Sequence, residues 1–284
     1  MNFQPAAQLV RKAADGGYAI PSFCVWNAET MDTVLRVASD CRAPVMLMNG
    51  PGEFGLLAPA KMADTARAVA ARYQVPAAMH LDHADSVSLV EECLSANYTS
   101  VMLDFSTKPF AQNVAGLARV VQLARARNAS VEGEIGSVGR IDEITGEGSS
   151  DSLLTTPEQA KLYVQETGVD MLAVAIGNAH GNYPTRPHLD FELLRKLRDA
   201  AGIPLVLHGG SGTPEEYIQK AISLGIAKVN VASELARAVR ETVLERWGAQ
   251  EDLWTPQVLA HATEAIAPVV EKWIRLTGAV AKAR

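Results

Sequence analysis

The 284-residue chain predicts a (β/α)8 barrel with extra C-terminal helices. Three observations lead there. Short apolar runs recur eight times along the chain, amphipathic stretches lie between them, and no shift in composition divides the sequence. Alternating strand and helix patterns build parallel sheets, and eight of them close a barrel of about 250 residues. A single barrel domain over residues 1–284 is therefore expected. A doubly wound open sheet uses the same alternation and is the structural alternative.

In chain order the strand candidates are YAIPSFC (18–24), PVMLMN (44–49), PAAMHLD (76–82) and SVMLDF (100–105). SVEGEI (130–135), MLAVAIG (171–177), PLVLHG (204–209) and AKVNV (227–231) follow. The segments between them read as helices. AETMDTVLRVASDCR (28–42) and PEEYIQKAISLG (214–225) both carry apolar residues at spacings of three and four. Glycine or proline marks the helix-to-strand joints, as in AGIPLV and SLGIAKV. The tail from about residue 233 reads as helix, exceeds what the barrel needs, and offers a surface to a partner subunit.

Composition excludes several classes. The formal net charge is −6 and no basic run exists, which argues against nucleic-acid binding. Cys24, Cys41 and Cys93 are odd in number and widely spaced, which reads as buried thiols in a reducing compartment. No apolar run approaches the roughly 20 residues of a membrane helix. The N-terminus lacks a signal-peptide layout, so a soluble, cytoplasmic protein is expected.

Polar residues fall at the ends of the strands. Asp82 and His83 end the third, Asp104 the fourth, Glu134 the fifth, His208 the seventh and Asn230 the eighth. His180 follows the sixth in AIGNAHGNY. A barrel brings all of these ends to one rim. Singly, each histidine is as well read as a satisfied polar residue. Three on one rim, with a fourth position open, make a catalytic zinc site. His80 lies two residues below Asp82 on the same strand face and reads as an interior residue. His188 reads as a loop or helix start, and Asp85 as the start of the helix after the third strand.

HGGSGTPEE (208–216) follows the seventh strand. Its glycines allow the backbone to approach a ligand closely. Thr213, Pro214 and Glu216 suit the N-cap, first and third positions of a capped helix. NVAS (230–233) follows the eighth strand and adds N–H groups and a hydroxyl. Loops after strands seven and eight often bind phosphate in such barrels.

The ordered set GGYAIPSF, HLDH, SVMLDFS…PF, VEGEIG, AVAIGNAHG, PLVLHGGSG and KVNVASE resembles the class II, zinc-dependent fructose-bisphosphate/tagatose-bisphosphate aldolase family, most of all its tagatose-bisphosphate-type branch. The likeness covers nearly the whole chain. It implies reversible retro-aldol cleavage of a ketose phosphate or bisphosphate to dihydroxyacetone phosphate and an aldehyde. It implies His83, His180 and His208 as zinc ligands, Glu134 as a carboxylate that contacts the metal in an alternative position, and Asp82 as the acid/base. Asp104 matches a carboxylate near the site. Gly181, Gly209, Gly210, Ser211, Asn230, Val231, Ala232 and Ser233 match segments that hold dihydroxyacetone phosphate. Zn2+, a monovalent cation (Na+ or K+) beside the phosphate, and a homodimer or homotetramer are implied as well. Cobalt or iron would also accept three imidazoles.

The chain departs from the pattern twice. In GSVGRIDEITGEGSS (136–150), read as a lid, Arg140 replaces the second of a glycine pair. A gapless match puts Asp142, with Glu143 beside it, at the position that exchanges the proton at the triose carbon. In TPQVLAHATEAI (255–266), His261 and Glu264 stand where many relatives carry basic residues for the far phosphate. A carboxylate there repels a phosphate dianion, which favours a ketose 1-phosphate or deoxyketose phosphate unless Arg140, Arg186 or Lys108 supplies charge. Asn49 and Gly50, ending the second strand, are candidates to touch the substrate.

Three other readings compete. A barrel metal hydrolase often has an HxH pair on its first strand, and YAIPSFC has none. A Schiff-base aldolase needs a reactive lysine, and Lys228 lies two residues below Asn230. A non-catalytic phosphosugar sensor or assembly subunit has no need of Asp82 together with three rim histidines.

Overall fold

The computed structural model describes residues 3–136, 138–141, 148–149, 154–181, 187–250 and 252–283. Asp142, Glu143 and Arg186, and the side chain of Arg140, lie outside the described residues.

Eight parallel strands close a barrel in chain order. They are β1 (Ile20–Cys24), β2 (Val45–Asn49), β3 (Ala77–Ala84), β4 (Ser100–Leu103), β5 (Ser130–Ile135), β6 (Met171–Val174), β7 (Leu205–Leu207) and β8 (Ile226–Val231). β1 closes the ring against β8, with Ser22 opposite Asn230. The strands are short and almost wholly buried, because one face meets the helices and the other meets the barrel interior.

The helices cover the outside. α1 (Ala6–Gly16) precedes the barrel and buries Ala6, Leu9, Val10 and Ala13. It packs on β1, β3, β5 and β8, and the Ala7 N–H donates to Ser130 Oγ at 2.8 Å. Then come α2 (Ala28–Asp40), α3 (Pro59–Ala70), α4 (Val87–Ser95), α5 (Phe110–Arg125), α6 (Pro157–Thr167), α7 (Phe191–Ala201) and α8 (Glu215–Ser223). α9 (Ser233–Ala249) packs against α10 (Thr255–Glu264). α11 (Ala267–Leu276) packs against α2, α8 and β1. Part of the tail is therefore the last member of the helical ring rather than a surplus.

Two helix starts differ from the sequence reading. Ser86, not Asp85, caps α4, its Oγ accepting from the Leu89 N–H. At α8 the N-cap position belongs to Pro214, with no side-chain cap. The Thr213 hydroxyl instead donates to the Gly209 carbonyl at 3.0 Å, so it closes the loop and is spent before the helix begins. Of the thiols, Cys93 is buried while Cys24 and Cys41 are partly exposed, and all three are free.

Register decides which side chains point inward, since paired residues of parallel strands share a face. His80 pairs with Ser100, Ser100 with Ser130, Glu132 with Met171, and Val206 with Lys228. His80, Ser100, Glu132 and Lys228, each fully buried, therefore form a polar floor inside the barrel. Alternation puts Asn49 on the opposite face of β2 from Met48, the partner of His80.

Candidate active site

The three rim histidines converge. Their ring centroids lie 4.7–5.6 Å apart, and one nitrogen from each falls within 4.8 Å of the others. His83 reaches the cluster through a backbone irregularity. Strict alternation would turn His83 away from the face that Asp82 occupies. The ladder between β3 and β4 slips between Leu81 and Ala84, and His83 adopts a φ of 47°. A bulge of this kind re-aims a side chain, so Asp82 and His83 both face the site.

Two of the rings are held from behind. His83 Nδ1 is 2.8 Å from Asp104 Oδ2, and the Asp104 Oδ1 accepts from the Ser106 amide and hydroxyl at 3.1 and 2.6 Å. These contacts hold the Asp104 carboxyl well below its usual range despite burial. Burial lowers the affinity of His83 for a proton, but Asp82 and Asp104 outweigh it and raise its pKa to about 9. His208 Nε2 lies 2.8 Å from Glu132 Oε1, and its backbone carbonyl accepts from the Asn178 amide at 3.1 Å. His208 Nδ1 faces the cluster, 3.3 Å from Glu134 Oε2.

The donor set fits a metal ion. His208 Nδ1 is buried with no hydrogen-bond partner, and so is Glu134 Oε2. His83 Nε2 and His180 Nε2 are 3.2 Å apart. Two nitrogens on a tetrahedral zinc, each about 2.0–2.1 Å from it, sit about 3.3–3.4 Å from one another. Imidazoles suit zinc and its first-row neighbours, and a carboxylate behind a ligating imidazole is the usual support.

Asp82 stands beside the cluster. Its Oδ1 accepts from the Asn230 amide at 3.0 Å, and its Oδ2 lies 3.9 Å from His83 Nε2. Burial pushes its pKa up, but His83, His80, His208 and Lys228 outweigh burial and hold the carboxyl well below the ordinary range. Glu134 behaves oppositely, because burial dominates and raises its pKa. Two carboxyls of the same barrel mouth thus favour different protonation states, the kind of separation that acid–base chemistry uses.

The glycine loop and the start of α9 meet at the same rim. The Gly210 N–H donates to the Asn230 carbonyl at 3.1 Å, tying the loop after β7 to β8. Ser211 Oγ accepts from the Glu234 N–H at 3.2 Å. Glu234 is held in turn by the Trp273 indole at 3.0 Å and the Lys272 ammonium at 3.2 Å, both from α11. Ser233 opens α9 beside the glycine loop, and the positive end of the helix dipole there favours an anion. Gly181 has a φ of 93° and follows Ala179–His180, a two-residue strand that pairs with Gly139–Ile141.

Other predicted residues sit elsewhere. Asn49 is buried with its Oδ1 accepting from the Tyr98 hydroxyl at 2.7 Å, so it braces the barrel wall rather than joining the cluster. Gly50 donates its N–H to Glu53 Oε2 at 2.8 Å. Glu264 is not a bare carboxylate, since Arg36 of α2 donates to both of its oxygens at 2.6 and 2.7 Å. Lys108 is exposed. Glu132 and Asn178 were not singled out from sequence. Glu132 lies two residues before Glu134, and the alternation that placed His80 inside could have found it. Lys228 is fully buried and lies 2.8 Å from Glu132, so it is part of the barrel floor beneath the imidazole cluster.

Residues 4–282 match the family described as fructose-bisphosphate aldolase class-II. The chain belongs to the class II fructose-bisphosphate aldolase family. Among solved structures it is similar to the YdjI aldolase from Escherichia coli K12, at 31% identity over 100% of both chains with a TM-score of 0.88. It is also similar in fold to fructose-bisphosphate aldolase (Fba) from Campylobacter jejuni, at 22% identity and a TM-score of 0.84, covering 98% of this chain and 95% of that one. Family and fold support aldolase-type lyase chemistry, and the imidazole cluster suits the metal dependence typical of class II aldolases. Among the described residues no helix is long and apolar enough to cross a membrane.

Proposed function

We propose that this chain cleaves a ketose 1-phosphate reversibly into dihydroxyacetone phosphate and an aldehyde, using zinc. One juxtaposition supports this reading above others: the three imidazoles and Asp82 share a barrel mouth with the Gly209–Ser211 loop and the start of α9. His83, His180 and His208, with Glu134 as an alternative contact, would hold zinc, which would supply Lewis acidity toward the ketone.

The chain's own residues do the rest. Asp82, ionised and steadied by Asn230, accepts the proton of the hydroxyl beside the breaking carbon–carbon bond. As that bond breaks, the hydroxyl oxygen becomes the aldehyde carbonyl. Asp142 or Glu143 delivers a proton to the triose carbon that keeps the electron pair. Gly181, Gly209, Gly210, Ser211 and the Asn230–Ser233 segment hold the triose phosphate, with Na+ or K+ beside it, and so fix the reacting atoms. The Arg36–Glu264 pair carries no net charge to offer a second phosphate, which favours a monophosphate or deoxyketose phosphate. We also propose a homodimer or homotetramer. Trp254 and Leu244 of the α9–α10 region, 68% and 64% exposed, supply apolar surface for that contact.

The test is release of dihydroxyacetone phosphate by the zinc-loaded protein from ketose 1,6-bisphosphates, ketose 1-phosphates and deoxyketose 1-phosphates. Faster cleavage of the monophosphates is expected. Faster cleavage of bisphosphates would refute the monophosphate reading. Zinc binding without turnover of any of them would favour a sensor.

A further inference from the structure

The barrel floor holds charges that the proposed reaction does not consume. Lys228 enters from β8 and Glu132 from β5, and both are fully buried. Lys228 Nζ lies 2.8 Å from Glu132 Oε2. The other oxygen of the same carboxylate, Oε1, lies 2.8 Å from His208 Nε2. One carboxylate is therefore flanked on one side by an ammonium at ion-pair distance, without a hydrogen bond between them, and on the other by a hydrogen-bonded rim histidine. A second branch leaves Glu132. His80 Nε2 is 3.7 Å from Glu132 Oε2 and 3.5 Å from Asp82 Oδ1, while His80 Nδ1 is fixed 2.8 Å from Ser100 Oγ.

Burying a carboxylate and an ammonium under a barrel mouth is expensive, and an apolar pair of similar volume often serves stability as well. This arrangement does something an apolar floor cannot. A carboxylate oxygen only accepts hydrogen bonds, so Glu132 makes His208 Nε2 the donor and leaves Nδ1 with its lone pair facing the cluster. His208 is thus presented through Nδ1, whereas His83, held at Nδ1 by Asp104, is presented through Nε2.

We propose that the Lys228–Glu132 pair is a positioning device for the metal centre: Lys228 pins one oxygen of Glu132 so that the other holds His208 with Nδ1 aimed at the ion. This rests on the metal reading above. Lys228 touches neither metal nor substrate, so its effect is carried through Glu132.

The test uses full-length protein and zinc alone, with affinity measured by competition against a chromophoric chelator. Cobalt(II) is the spectroscopic probe, because its visible absorption reports ligand geometry. The variants are Lys228→Met, which keeps the length but not the charge, and Lys228→Met/Glu132→Gln, which removes both charges and keeps an acceptor for His208. Mutation of a group in the outer shell that orients a metal ligand typically weakens binding about 10–100-fold. Lys228→Met is expected to weaken zinc by that factor and to shift the cobalt spectrum, with the double variant recovering part of the affinity. Wild-type affinity with an unchanged spectrum in Lys228→Met overturns the proposal. Should Lys228→Met fail to fold, the double variant decides. Wild-type zinc affinity there assigns the pair to folding alone and overturns the proposal, and weaker binding upholds it. A wild-type protein that takes up no zinc or cobalt overturns the metal reading, and this proposal with it.

Discussion

Gly209 is the position where one added methyl group tests the site most directly. It follows His208 with a φ of +67°, and a Cβ built there falls 1.9 Å from the Ala179 carbonyl oxygen and 3.2 Å from the His180 nitrogen. The left-handed backbone costs a non-glycine residue about 1–2 kcal/mol. The overlap adds more. Moving the contact from 1.9 Å to the 3.0 Å floor needs a shift of about 1.1 Å (3.0 − 1.9) in either the His180 segment or the His208 loop. Metal–ligand distances tolerate about 0.2 Å, and disturbing the groups that orient a metal ligand costs about 10–100-fold in metal affinity. Gly209→Ala is therefore expected to weaken zinc by about 10²-fold, about 2.8 kcal/mol at about 1.4 kcal/mol per tenfold. The assay is chelator competition, with thermal unfolding alongside. Gly17→Ala is the control: its φ is +66°, yet an added Cβ meets nothing within 4 Å. It should lower stability by about 1–2 kcal/mol and leave zinc affinity alone. Wild-type zinc binding by Gly209→Ala would refute the claim that backbone packing between two rim histidines sets the site.

Three further outcomes are expected. Asp82→Asn should retain zinc but lose about 10²–10⁴ in kcat/KM, the usual worth of a positioned acid or base; equal loss of zinc would show that Asp82 serves the metal instead. Chelation should lower Tm, and zinc at 100 times its Kd should return about 2.7 kcal/mol of stability; a Tm insensitive to chelation contradicts a metal bound only by the folded state. Burial, then the hydrogen bond to Asp32, raises the Tyr73 pKa from 10.0 to about 12. A group raised in the folded state contributes stability that is complete below the unfolded value and fades as pH climbs through about 12. Denaturant titrations of Tyr73→Phe should accordingly show a shallower fall in stability between pH 10 and 12 than wild type, the remainder coming from Tyr18, Tyr98 and Tyr163, whose pKa values burial also raises.

Much of this was legible in the chain because barrel physics is periodic. Eight apolar runs mark eight strands, and polar residues at their ends mark the rim. The misses fall where local geometry departs from the period. The runs over 100–105, 171–177 and 204–209 shrink to Ser100–Leu103, Met171–Val174 and Leu205–Leu207. In two of them the strand stops short of Asp104 and His208, the residues that carry chemistry. Alternation predicts that Asp82 and His83 face apart, and only the bulge at His83 unites them. The same alternation, applied consistently, would have put Asn49 on the helix side and Glu132 inside. Thr213 failed as a cap because its hydroxyl had a closer acceptor in Gly209. No sequence period announces the grip of Arg36 on Glu264, because 228 residues separate them.

The last helix has a consequence for how the protein must be made. Trp273 and Lys272 of α11 hold Glu234, and an added Cβ at Gly210 would lie 3.3 Å from the Trp273 ring. The Thr277 carbonyl, just beyond α11, accepts from the Ala19 N–H, immediately before β1 begins. A nascent chain that has released every histidine of the site still lacks the backing of its glycine loop and the clasp on its first strand. Competence thus waits on α11, and a stop codon before residue 267 acts as an active-site lesion.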